Sequence, residues 1–228
     1  MRFAISTHMS KSDTKAAATT RRAGSRRRPQ KRAIETRRAI LDAALSEFAE
    51  RGFEGASVRR IGERASLEYT LITYHFKNKA ALWRAVATEA FAQMGAIWQA
   101  AAEAQPQQQS AADAVRLEVK AFLQFTVEHR EFHHFMLQEN HAPSPRLRWI
   151  VRNILSKARE RIVPKIRQAQ ADGDMLAGDP DLIYYMLIGM VSVPSSLQGE
   201  MRATMKFSLD NPAAVAEYWR VIERSVFR

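Results

Sequence analysis

Hydrophobic residues recur along this chain at helical spacings, and no stretch keeps the alternation of a half-buried strand. The first stripe is Ile34, Leu41, Ala44, Leu45 and Phe48. It predicts a helix that stops at Gly52, since glycine takes the left-handed position past a helix end at least cost. Ser57 reads as the N-cap of a second helix, with Val58, Ile61 and Ala65 on its inner face. A turn at Ala65–Glu68 leads to a short third helix through Ile72 to His75. Three helices within about 45 residues, the last two joined by a tight turn, predict a helix-turn-helix unit.

Longer helices follow. From Asn78 to about Ala102 the stripe is Leu82, Val86, Met94 and Trp98. AQPQQQS at 104–110 is a loop. Val115, Val119, Phe122, Leu123 and Thr126 mark another helix, and a short aromatic helix from Phe132 to Glu139 is broken by HAPSP. The next runs from about Pro145 to Asp172. Pro164 is expected to kink or split it, because proline lacks the backbone donor and clashes one turn back. Asp179-Pro180 and Asn211-Pro212 each put a capping side chain before a proline at the first helical position. The helix after Asp179, LIYYMLIGMVSV, is apolar all round, so burial on every side is expected, against its own core and against a partner subunit. It is too short to span a bilayer. The final helix carries Val215, Trp219, Ile222 and Val226 on one face. The fold class is therefore all-α, without repeats.

Composition narrows the function. The 228 residues contain no cysteine, which excludes disulfide staples, thiolate metal sites and cysteine nucleophiles, and fits a reducing cytoplasm. The first residues, MRFAISTHMSKSDTK, lack the apolar run of a signal peptide, and no window suits a membrane helix. The formal charge of +11 is uneven: residues 1–38 hold 12 Lys and Arg against 2 acids. A basic end on a near-neutral body suggests an arm for a polyanion, and a solvating tail explains it equally well. Residues 1–30 have no periodicity and read as disordered, or ordered only on binding.

The polar residues of SVRRIGERASLEYTLITYHFKNK (57–79) sort by position. Ile72 and Phe76 face inward. Tyr69, Thr70 and Thr73 fall on the outer face of the third helix, where hydroxyls and methyls meet base edges. Arg59, near the start of the preceding helix, suits a guanine as a bidentate donor. Ser57, Arg60, Tyr74, His75 and Lys79 are candidate phosphate contacts, most of them at helix ends. A plain helical hairpin with a solvated face is the alternative.

The stretch from Thr36 to Val86, with RRAILDAALSEFAERGFEGASVRRIGERASL and then YHFKNKAALW, resembles the N-terminal domain of TetR-family transcriptional regulators. The resemblance implies a three-helix DNA-binding domain followed by a larger helical domain that binds a small ligand and dimerises. It also implies base-facing roles for Tyr69, Thr70 and Thr73, a base or phosphate contact at Arg59, and phosphate contacts at Ser57, Tyr74, His75 and Lys79. Ser66 replaces a frequent glycine in the turn, and Thr70 and Thr73 stand where Gly and Tyr are common. The expected organisation is a disordered basic arm at 1–32, a DNA-binding domain at 33–77, and a ligand-binding and dimerisation domain at 78–228.

Other constellations are weaker. His129 and His133 have the spacing of two metal ligands on one helix face; no Asp completes the set, Glu131 and Glu139 are the acids near enough in sequence to do so, and no metal or cofactor is expected. Phe122, Phe125, Phe132, Met136, Trp149, Tyr184 and Tyr185 are ordinary core residues or the lining of a ligand pocket. Arg146, Arg148 and Arg152 are candidates for an anion-binding rim. No phosphate loop, HExxH pair or nucleophile elbow appears, so an enzyme is not expected. The partners implied are double-stranded DNA, a small effector and a second copy docked through the last two helices, with no membrane. A helical nucleic-acid-binding structural protein without a ligand response is the alternative.

Overall fold

The chain is helical throughout the residues that its computed structural model describes, 11–104 and 110–228, with side chains from residue 31 onward. Helix α1 spans Lys11–Gly55, α2 Val58–Ala65, α3 Tyr69–Phe76, α4 Lys79–Ala104, α5 Ala111–Glu128 and α6 Arg130–Asn140. Then come α7 (Pro145–Ile150), a π-helical turn (Val151–Leu155), α8 (Ser156–Ala171), α9 (Pro180–Ser196), α10 (Gln198–Met205) and α11 (Pro212–Val226). No strand occurs among the described residues, only an isolated bridge between Met175 and Phe227. None of these helices alone is long and apolar enough to cross a membrane.

Local chemistry sets the boundaries. Gly52, at φ +64°, breaks the helical path inside α1. The Ser110 and Ser144 hydroxyls accept from the backbone N–H groups of Asp113 and Leu147. Asp179 and Asn211 cap α9 and α11 in the same way, each before its proline. Ser57 has the extended backbone of an N-cap, but its hydroxyl makes no capping bond. The α2–α3 turn closes through Ser66 in the left-handed region, at φ +54°. Gly62 makes that turn possible: a Cβ there would lie 2.7 Å from the Leu67 carbonyl oxygen.

Two apolar cores result. The first joins α1 to α4 with α6 and α7, through Ile40, Phe48, Ile61, Ile72, Trp83, Phe132, Phe135 and Ile150. The second joins α5, α8, α9 and α11, through Val115, Leu123, Ile166, Leu187 and Trp219. The first core crosses the expected domain boundary at 77–78, so the helix-turn-helix unit packs continuously onto α4 and α6.

Several sequence expectations are corrected. Residues 1–10 of the basic arm lie outside the described residues, but from Lys11 the backbone is helical where composition predicts disorder. Residues 105–109 of the predicted loop also lie outside. Ile34 is 63% exposed, and Ile40 takes the core position instead. Helix α8 runs through Pro164 without a break, and the irregularity is the π turn upstream. The expectation for helix α9 is not among those corrected: one side packs on the second core, and within one chain Leu182 is 71% and Tyr185 61% exposed. Between α9 and α11 stands α10, which the apolar pattern does not announce.

Candidate nucleic-acid interface and cavity

Helices α2 and α3 are oriented by a carboxylate that the pattern hides among core residues. Glu47 on α1 is fully buried. Its Oε1 accepts from Arg60 Nε at 2.7 Å and from the Ser57 backbone N–H at 3.2 Å. Arg64 Nε lies 3.2 Å from Oε2 and Arg51 Nε 3.8 Å from Oε1. Arg64 also pairs with Glu50, and that hydrogen bond holds the Glu50 carboxyl below its ordinary range. One acid therefore fixes both the start and the outer turns of α2. The clue in the sequence is a lone acid at core register, beside Phe48, with Arg60 and Arg64 one helix later.

The outer face of α3 is open. Tyr69, Thr70, Thr73 and Tyr74 are exposed and His75 is half-buried. Arg59 holds its guanidinium 5.9 Å from the centre of the Tyr69 ring, which brings the start of α2 beside the start of α3. The Thr73 hydroxyl donates to the Thr70 carbonyl at 2.8 Å, leaving its lone pairs and methyl outward. Two expected phosphate contacts have work inside the fold. Arg60 is held by Glu47 and by the Gly55 carbonyl. Lys79 donates to the carbonyls of Ala56 at 3.1 Å and Glu54 at 3.3 Å, with its ammonium 4.7 Å from the Phe53 ring centre. An ammonium has three donors, so one of Lys79's remains.

The second feature is a cavity of about 490 Å³ between α4, α5, α6, α8 and α9. Phe122, Phe132, Met136, Tyr184 and Tyr185 all line it. Phe125 does not: it packs against Phe132, ring centres 5.0 Å apart, in the layer beneath. Trp149 does not either, since it sits edge-on to Trp83 at 6.0 Å. Polar groups are few. His133 Nε2 is 2.7 Å from the Ser196 hydroxyl, and burial, helped by neighbouring His134, lowers the His133 pKa. Burial raises the Tyr184 phenol to about 12, so it stays protonated. Among the described residues, no group of His and carboxylate side chains is placed to hold a metal.

Helix α6 is the wall between this cavity and α1. Phe132, His133 and Met136 face the cavity. Elsewhere along the helix, Glu131 accepts from the Ser46 hydroxyl at 2.8 Å and Gln138 donates to the Ala49 carbonyl at 3.4 Å. Arg146, expected at an anion-binding rim, is away from the cavity. It bridges Glu139 at 3.1 Å to Glu54 at 3.2 Å and lies 4.2 Å from the Phe53 ring centre. Arg148 and Arg152 are exposed and do not line the cavity either.

Comparison with known proteins agrees with this geometry. Residues 40–86 match the family model described as bacterial regulatory proteins, tetR family. Over 61 residues the chain is 41% identical to the HTH-type transcriptional repressor AcnR of Corynebacterium efficiens, covering 27% of this chain and 32% of that protein. It is 36% identical over 56 residues to the tetracycline repressor protein class D of Escherichia coli, covering 25% and 26%. The matched segment thus spans about a third of the first relative and about a quarter of the second. A crystal structure of a TetR-like transcriptional regulator from a Rhodococcus species superposes with a TM-score of 0.59 at 18% identity, covering 83% of this chain and 94% of that one. The likeness of fold therefore extends over most of the chain.

Proposed function

We propose, for a chain that belongs through its N-terminal domain to the tetR family of bacterial regulatory proteins, that it is a sequence-specific DNA-binding transcriptional repressor, released from its operator by a small apolar or aromatic ligand. The observation that carries the reading is the open α3 face, with Tyr69, Thr70 and Thr73 outward and Arg59 beside them. Tyr69, Thr70, Thr73 and Arg59 read bases; Ser57, Tyr74, His75 and the remaining donor of Lys79 grip phosphate. Arg60 serves mainly to hold α2 in place. Phosphate contacts set register and base contacts carry the sequence information.

The protein acts as a homodimer. The exposed apolar residues Leu182, Tyr185 and Val193 on α9 and Val221 on α11 support this, because such a face is unfavourable in water unless a partner covers it. Two-fold symmetry then calls for an inverted-repeat operator, with recognition helices about 34–36 Å apart or a multiple of that. The effector occupies the cavity behind α6. A ligand that favours a different seating of α6 also shifts α1, including its last turn at residues 53–55, and it releases DNA only by its differential affinity for the two arrangements.

Selection from random duplexes, followed by anisotropy titration and light scattering, tests the proposal. The expected result is one enriched inverted repeat bound by a dimer. Binding without any sequence enrichment points instead to a structural nucleic-acid binder.

A further inference from the structure

A second cavity, of about 470 Å³, lies between α4, α5 and α8 and extends to the π turn. It adjoins the α6 cavity, sharing Phe91, Met94, Trp98, Glu118, Leu155 and Ala158 as wall residues. Its floor is apolar, and its mouth is not. Lys157, Arg161 and Lys165 line it, and the only acid among its lining residues is Glu118. Glu118 is buried, with Arg161 Nη1 at 2.9 Å and Lys165 Nζ at 2.7 Å. Arg161 is also held over the Trp98 ring, 4.8 Å from its centre. Three cations against one carboxylate leave a net charge of +2 at the mouth of an apolar chamber.

Gly95 keeps that chamber open. It lies within α4, where glycine is less stable than alanine, and it lines the cavity. A Cβ at this position would meet no atom within 4 Å. No close approach of backbone calls for glycine here, so what its missing side chain provides is volume in the cavity.

We propose that this cavity binds an amphiphile with an unbranched apolar chain and a single anionic head, the head against Lys157, Arg161 and Lys165 and the chain along Phe91, Met94 and Gly95. The inference rests on the reading of the C-terminal domain as a ligand-binding domain and adds a second site, with its own ligand class, beside the effector cavity behind α6. A small hydrophilic anion would leave the apolar floor unfilled. A neutral apolar compound would leave the mouth's excess charge unanswered.

Calorimetric titration of the full chain without DNA tests this, with octanoate, decanoate, dodecanoate and dodecan-1-ol, each below its aggregation concentration. Dodecanoate is expected to bind more tightly than dodecan-1-ol, and affinity to rise about three- to fourfold per added methylene. Lys157→Ala should weaken dodecanoate about two- to fivefold and leave dodecan-1-ol unchanged. Gly95→Leu, which strengthens the helix while filling the floor, should weaken dodecanoate at least tenfold with the circular dichroism spectrum retained. Dodecyl phosphate gives a second arm: if it outranks dodecanoate the head is a phosphate, and the reverse order identifies a carboxylate. Equal binding of dodecanoate and dodecan-1-ol, or full affinity in Gly95→Leu, overturns the assignment and leaves the DNA-binding reading intact. If dodecanoate binds as expected and the operator complex survives it, the site stands and its ligand is not the one that releases DNA.

Discussion

The indole N–H of Trp83 donates to the carboxylate of Glu139 at 3.0 Å, inside the core that joins α4 to α6. Glu139 is only 3% exposed, and its charge is answered on the other side by Arg146, which continues to Glu54. A buried carboxylate is tolerated only when paired and hydrogen-bonded. The chain Trp83–Glu139–Arg146–Glu54 is thus one polar thread from the first turns of α4 to the last turn of α1. Glu139→Gln keeps an acceptor for the indole but removes the ion pair. Its expected cost is about 1–3 kcal/mol in urea unfolding. Trp83→Phe, which strands Glu139 with one partner fewer, is expected to cost a similar amount, and the double variant less than the sum because the two share a bond. Additive costs would show that the indole bond is no stronger to the carboxylate than to an amide.

Glu47 is the more sensitive position. Removing one partner of a fully buried ion pair costs about 3–5 kcal/mol, and less here, since Arg60 and Arg64 keep 40% and 34% of their side chains in water. Glu47→Ala strands Arg60 and part of Arg64 and frees the Ser57 N–H, so loss of stability is expected together with loss of operator affinity. Arg59→Ala, one residue from Arg60 but outside this network, should leave the unfolding midpoint unchanged. A normal midpoint in Glu47→Ala would refute the organising role of this acid.

Base and phosphate roles separate by their signatures. Tyr69→Ala should cost about 1–3 kcal/mol and relax preference at one base position. Lys79→Ala should weaken binding to every duplex, through its phosphate donor and through loosening of the loop whose carbonyls it holds. Anisotropy titrations against the operator and single-base variants distinguish the two patterns; a base-specific effect of Lys79→Ala would reverse the assignment.

Deleting residues 1–32 removes 10 basic residues and a single acid, Asp13. Each phosphate neutralised contributes about −0.9 to the slope of log affinity against log salt. A shallower slope and weaker binding are expected, with the thermal midpoint retained. A slope equal to that of the full chain would exclude the arm from DNA contact.

His133 gives a pH dependence. Burial lowers its folded-state pKa, so below the unfolded value of about 6.5 the unfolded chain binds the proton more readily. Stability is therefore fully present above that value and declines as pH falls through the window down to the folded pKa. Urea midpoints at pH 7.5 and 5.5 should differ more for the natural chain than for His133→Gln. Equal differences would mean that other groups carry the acid sensitivity.

The helix-turn-helix unit was legible because its signals are local: the stop at Gly52, the stripe of Val58 and Ile61, the inward pair Ile72 and Phe76. Prolines after Asp179 and Asn211 marked two later helices by cap chemistry alone. What escaped the sequence depends on distant partners. Glu47 looks like any surface acid until Arg60 and Arg64 fold against it. Arg146 and Lys79 looked free because Glu54 lies 92 residues from the first and the carbonyls of Ala56 and Glu54 lie 23 and 25 residues from the second. Pro164 suggested a break that the helix absorbs, whereas VRNIL at 151–155 contains no glycine or proline to announce its irregular turn. Among the aromatic residues, composition alone could not separate cavity lining from the layer beneath, where Phe125 sits.

That irregular turn is in effect an insertion. A π turn holds one residue more than an α turn, so the segment Val151–Leu155 carries a supernumerary position within an otherwise regular rod. Excising one residue, Asn153 for instance, would let the rod heal into plain α-helix while screwing α7 about 100° around and 1.5 Å along the axis of α8. Ile150 would leave the core, and Arg146 would swing off Glu54. Phasing between the two halves of the molecule is thus set by a single added residue, and loss of that residue is a frame error in space that no substitution elsewhere in the rod can correct.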